Sequence, residues 1–185
     1  MAIWRAESSG MVQHGGIVSQ HLERLDLLAP WLYAPVLRFI QQAHKLGVQL
    51  CVVHTWRSVQ EQTLIYQKGR TYDRANGIWV VSDEKAVVTK AKPGTSAHNV
   101  VDQAGKPASV AVDVMPLRNG QIEWIEGFAF WQPIYDLAWK CGLDPLGDTV
   151  GAYLPGDWGH FEEPGWKLKL SGYGLVLPTA DVVGI

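Results

Sequence analysis

Apolar residues recur along this chain with two periods, and each period marks a kind of element. Leu32, Val36, Phe39, Ile40, Ala43 and Leu46 fall at helical spacing, which predicts a helix with one buried face, and Gly47 is placed to end it. Residues 48–54 follow as a short apolar run of strand type. Ser58-Val59-Gln60-Glu61 has the form of a capping box, so a helix should open there and close at Gly69. Residues 78–81 and 86–89 read as strands about the polar turn Ser82-Asp83-Glu84-Lys85, and Lys92-Pro93-Gly94-Thr95 as a loop. A further helix is expected over residues 130–141, with Pro133 tolerable only in its first turn. Helices mixed with short antiparallel strands predict an α+β domain, a small antiparallel sheet with flanking helices. With no internal repeat and no low-complexity linker, residues 1–185 read as one domain.

Composition narrows the partners. The hydrophobic fraction is 47% and the charged fraction 18%, enough apolar content for a core. A net charge of −2 argues against a general nucleic-acid binder, which would carry a basic stripe. No apolar run reaches the ~18 residues of a membrane-spanning helix, so no membrane insertion is expected. The opening residues lack the apolar stretch of a signal peptide, so we expect synthesis in the cytoplasm and delivery by another route. Cys51 lies in an apolar run and Cys141 beside Gly142; both read as buried free thiols. Of nine tryptophans, exposed ones could stack on sugar rings.

Three stretches carry chemistry: Ser96-Ala97-His98-Asn99, Ser109-Val110-Ala111-Val112-Asp113 and Asp157-Trp158-Gly159-His160-Phe161-Glu162. Two imidazoles and a carboxylate suit Zn²⁺ at a catalytic site with a fourth position left for water. The spacing of His98 and Asp113 fits a hairpin turning near Gly105-Lys106, in which Asn99 pairs with Val112, Val100 with Ala111 and Val101 with Val110. His98 and Asp113 would then be directly opposed, with Cβ atoms about 4.5–5.5 Å apart. Asp102 is a rival ligand, but it lies among turn formers. His54 falls at a strand end, and His14, His21 and His44 have no pattern around them.

Those stretches resemble the M15 zinc peptidases, the family of VanY- and VanX-type D-Ala-D-Ala peptidases and of phage L-alanyl-D-glutamate endolysins. The family pattern Ser-x-His-x-x-Gly-x-Ala-x-Asp, then Glu or Asp-x-x-His, is met by Ser96, His98, Ala111, Asp113, Asp157 and His160. Thr55-Trp56-Arg57-Ser58, Glu61-Gln62 and Tyr66-Gln67-Lys68-Gly69-Arg70 are similar to the family's upstream segment. Two departures stand out. Asp113 comes fifteen positions after His98 where the family usually has seven, and Ser109 replaces a Gly. The excess is even, so a longer surface hairpin would keep Asp113 on the same face of the strand.

The resemblance implies the hedgehog/D-Ala-D-Ala-peptidase fold, with His98, Asp113 and His160 holding zinc. It implies Asp157 as the general base that passes a proton to the leaving amine, Arg57 as the donor to a substrate carboxylate or oxyanion, and Ser96 as a further substrate contact. It makes the partner the peptidoglycan stem peptide, cut by a monomer acting on the periplasmic wall. Asp rather than Glu at position 157 points to the L-alanyl-D-glutamate endopeptidases. A D-Ala-D-Ala carboxypeptidase or dipeptidase is the alternative on the same scaffold, and a non-catalytic zinc-stabilised wall-binding module is another.

Overall fold

The computed structural model describes residues 24–145 and 157–179, together with the backbone of the two short paired strands β1 (Gln13–His14) and β2 (Ile17–Val18). His21 and residue 156 lie outside the described residues. Four antiparallel strands form the central sheet in the order β3 (Leu50–His54), β7 (Ala111–Arg118), β10 (His160–Glu162) and β9 (Asp144–Pro145), and β8 (Gln121–Ile122) pairs with the far end of β7. No helix among the described residues is long and apolar enough to cross a membrane.

Helix α1 (Pro30–Lys45) buries Leu32, Val36, Phe39, Ile40 and Ala43, the stripe its periodicity requires. Leu46 does not belong to that stripe: it caps the helix end and is 65% exposed. Helix α2 (Val59–Gln67) opens on the expected capping box, with Glu61 N–H donating to Ser58 Oγ at 3.1 Å and Ser58 N–H to Glu61 Oε2 at 2.8 Å. Helix α3 (Phe128–Lys140) starts two residues earlier than expected, so Pro133 sits in its second turn, where its ring removes an intrahelical donor. A fourth helix, α4 (Trp166–Lys169), is a single turn.

Alternation along the strands sorts the sheet into two faces. Val112, Val114, Phe161, Leu50 and Val52 are buried with the apolar residues of α1 and α3, and the Phe39 and Phe161 rings lie 4.7 Å apart. Asp113, His160 and Glu162 are carried on the opposite face. Burying one such aromatic side chain contributes about 1.5–3 kcal/mol, so this face sets the sheet's attachment to the helices.

Two expectations need correction. Residues 86–89 are not a strand; β5 (Ile78–Val81) pairs instead with β4 (Arg70–Asp73). After β5 the chain folds over Gly69, whose carbonyl accepts the Ser82 and Asp83 N–H groups, and Glu84–Ala86 becomes a 3₁₀ turn capped by Asp83. A Cβ on Gly69 would meet Asp83 O at 2.5 Å, so the crossing needs a glycine there. The expected hairpin also forms differently. Residues 97–99 are a 3₁₀ turn, Val101 bridges Pro107, and Ala108 N–H donates to Val100 O at 3.0 Å. β6 (Val101–Asp102) pairs with β11 (Leu175–Val176), while β7 takes β3 and β10 as its neighbours. The extra residues are therefore more than a surface extension: Val101 and Ala108 are buried, and only the tip is exposed.

Candidate metal centre

Three elements bring three donor atoms to one point. His98 comes from the 3₁₀ turn at residues 97–99, Asp113 from the third position of β7, and His160 from the first position of β10. Asp113 and His160 are cross-strand partners, so their side chains leave the same face side by side. His98 Nε2 lies 3.1 Å from both Asp113 Oδ1 and His160 Nδ1, and His160 Nδ1 lies 2.9 Å from Asp113 Oδ1. Donors held at about 2.0–2.1 Å around a tetrahedral zinc lie roughly 3.3 Å apart, so this triangle fits such an ion and leaves one direction open. It is the group of potential metal donors found among the described residues.

Each donor has a partner behind it. His98 Nδ1 donates to the Thr55 carbonyl, which turns the Nε2 lone pair toward the cluster. Arg57 Nη2 donates to Asp113 Oδ2 at 3.2 Å, leaving Oδ1 for the other two donors, and Arg57 Nη1 donates to Gln62 Oε1 at 2.9 Å. Gln62 is fully buried and anchored through Nε2 to Ala91 O at 2.8 Å. Arg57 is tied by its backbone as well: its N–H donates to His98 O at 2.9 Å, and its carbonyl accepts from Asn99 Nδ2 at 2.8 Å.

Charge follows from this packing. Burial works to raise the Asp113 carboxyl, but His98 and His160 outweigh it and hold it well below the usual carboxylate range. Burial alone would lower the His160 imidazole, yet the carboxylates of Asp113 and Glu162 push its pKa up to about 10. Asp157, half-buried at the turn into β10, has its carboxyl raised by burial against the pull of His160. Its carbonyl accepts the His160 N–H at 3.4 Å, which ties the turn to the first residue of β10.

Several sequence expectations find their place here. His98, Asp113 and His160 converge, with Arg57 touching the cluster and Asp157 coupled to it electrostatically. Ser96, expected as a substrate contact, is engaged within its own turn. Its Oγ accepts the His98 N–H at 3.3 Å inside the buried 3₁₀ turn, so it positions the first histidine. Asp102 is no rival, because its Oδ1 accepts the Ala104 and Lys106 N–H groups at 2.8 and 2.9 Å and closes the turn. Ser109, in place of the glycine, is buried; its Oγ accepts the Ala111 N–H at 3.2 Å and its single hydroxyl proton lies between the carbonyls of Thr55 and Ala111, 3.0 and 2.8 Å away. His54 stands opposite Asp113 beyond a bulge in β3 and is exposed, and His44 is exposed on α1. Both cysteines are free, Cys141 buried and Cys51 half-buried. The Thr55 carbonyl was not legible in advance, since a backbone acceptor leaves no mark in a sequence.

An α+β fold thus brings two imidazoles, one from a turn and one from β10, together with a β7 carboxylate into a donor set that could hold a metal ion. The family model of VanY, D-alanyl-D-alanine carboxypeptidase, matches residues 26–129, over half the chain. The chain belongs to this family of M15 peptidases. Among solved structures, a mutant of the vancomycin-resistance D,D-pentapeptidase VanY from a VanB-type cassette, in complex with Zn(II), is 17% identical with a TM-score of 0.50, covering 79% of this chain and 78% of its own. VanYB in complex with D-alanine-D-alanine is likewise 17% identical with a TM-score of 0.50, covering 79% and 76%. The L-Ala D-Glu endopeptidase ChiX of Serratia marcescens is 18% identical with a TM-score of 0.46, covering 78% and 86%. At these identities the likeness to the VanY structures is one of fold.

Proposed function

We propose that this chain is a zinc-dependent peptidase of the peptidoglycan stem peptide that hydrolyses the L-alanyl-D-glutamate bond. The observation that carries the reading is the triangle of His98 Nε2, Asp113 Oδ1 and His160 Nδ1, with sides of 2.9–3.1 Å, within a VanY-family fold. Those three residues would hold zinc, which when bound supplies Lewis acidity and brings the pKa of water down to about 7. Asp157 takes the proton of the attacking water and returns it to the leaving amine nitrogen. Its burial, by raising the carboxyl, makes it a better donor for the second transfer. Arg57, braced by Gln62, offers its remaining N–H groups to the charge that develops on the scissile carbonyl oxygen. Asp rather than Glu at position 157 supports the endopeptidase reading, and the role of endolysin rests on the same sequence likeness.

A second reading, D-Ala-D-Ala carboxypeptidase, is favoured by the description of the matching family model. Digestion of purified peptidoglycan, followed by mass and end-group analysis, separates them. New N-terminal D-glutamate supports the endopeptidase, and released D-alanine selects the carboxypeptidase. Tight wall binding with no soluble product would refute both and leave a binding module.

A further inference from the structure

We infer that Glu162 is a positioning residue that decides which nitrogen His160 offers to the metal; the inference rests on the zinc reading above. His160 and Glu162 are two residues apart on β10, so their side chains leave the same face of the sheet. Across the sheet His160 faces Asp113, whereas Glu162 faces Ala111, whose single methyl group leaves the longer carboxylate room to lie along its own strand. Glu162 Oε2 then sits 3.3 Å from His160 Nε2, and the two side chains are only 16% and 7% exposed. The adjacent Glu163 has a different task, since its carboxylate pairs with Lys169.

The consequence is chemical. A neutral imidazole carries one proton, and an ionised carboxylate can only accept a hydrogen bond. Glu162 therefore keeps the His160 proton on Nε2 and frees the Nδ1 lone pair, which points at Asp113 Oδ1 and His98 Nε2. His98 is arranged in the opposite sense, with its Nδ1 proton held by the Thr55 carbonyl and Nε2 turned inward. The two histidines are thus fixed in opposite tautomers, one by a backbone carbonyl and one by a carboxylate. A carboxylate hydrogen-bonded to the far nitrogen of a ligating imidazole also strengthens that ligand's bond to a cation.

The test compares wild type, Glu162→Ala and Glu162→Gln by competition for zinc with a chromophoric chelator. Nitrogen-15 spectra of the zinc-loaded histidine rings accompany it. Glu162→Ala should weaken zinc binding by about 10–100-fold, and Glu162→Gln, whose amide oxygen still accepts, should fall between it and wild type. Zinc-loaded wild type should show a slowly exchanging proton on His160 Nε2 that is lost from the alanine variant. If Glu162→Ala binds zinc within about twofold of wild type, or the wild-type ring carries its proton on Nδ1, the inference fails while the zinc reading stands. A wild-type chain that takes up no zinc overturns both.

Discussion

Gly159→Ala would test whether the close approach of β10 to β7 is what completes the donor triangle. The Gly159 carbonyl accepts the Val114 N–H at 2.9 Å, and a Cβ on Gly159 would lie 2.1 Å from Val114 O and 3.3 Å from Met115 Cε. The thioether of Met115 can swing aside, but the Val114 carbonyl belongs to the strand at the centre of the sheet. Ordinary contact begins near 3.4 Å, so the two backbones would have to part by about 1.3 Å. The next residue is His160, and a metal site tolerates only about ±0.2 Å in its ligand distances. A shift of this size takes the imidazole out of the donor set, so zinc affinity should fall by more than the roughly 100-fold upper range of losses seen when only an outer partner is removed. Overpacking should cost the zinc-free fold about 1–3 kcal/mol. Loss of unfolded-state freedom offsets about 0.4–1 kcal/mol of that. Chelator competition reads the first effect and urea unfolding the second. Gly172→Ala, where an added Cβ meets nothing within 4 Å, is the control: it should leave zinc affinity unchanged and raise stability by the unfolded-state contribution alone, about 0.4–1 kcal/mol. If Gly159→Ala held zinc as tightly as wild type, the strand could move without carrying His160 with it, and the reasoning from close approach would be wrong.

Three further outcomes are expected. Asp157→Asn should keep fold and zinc while cutting turnover about 10²–10⁴-fold, the usual contribution of a general base; recovery of wild-type rates in saturating zinc would instead make Asp157 an orienting residue. His98→Ala, Asp113→Ala and His160→Ala should each lose zinc by metal analysis, and Asp102→Ala should retain it, because the Asp102 carboxylate is engaged in its own turn. Zinc uptake near pH 7 should release a proton from His160, whose pKa stands at about 10 despite its burial. A ligand nitrogen must be deprotonated to bind, so affinity should rise by about tenfold per pH unit toward that value, and calorimetry in buffers of differing ionisation enthalpy counts the protons.

Much of the fold was legible because the relevant forces are local. The stripe from Leu32 to Ala43, the apolar run before His54 and the Ser58–Glu61 box depend on residues within a turn or two of one another. Residues 86–89 misled because their apolar character says nothing of the Gly69 carbonyl that draws the chain back over itself. The donor residues were also recognisable, since a His-Asp-His set is a matter of residue type. How they meet was not. Parity along a strand was applied to a hairpin between His98 and Asp113 that does not form; Asp113 instead shares its face with His160, and no local pattern could choose the neighbours of β7. A hairpin with His98 was the simplest local solution, and the sheet instead gave β7 to β3 and β10, whose apolar side chains Leu50, Val52 and Phe161 complete the layer against α1 and α3. His98 was left to arrive on a 3₁₀ turn held by Ser96, Asn99 and the Thr55 carbonyl. Residue type thus determined what the site is made of. Long-range burial of apolar surface, which no local pattern encodes, decided which strands carry it and which backbone groups aim it.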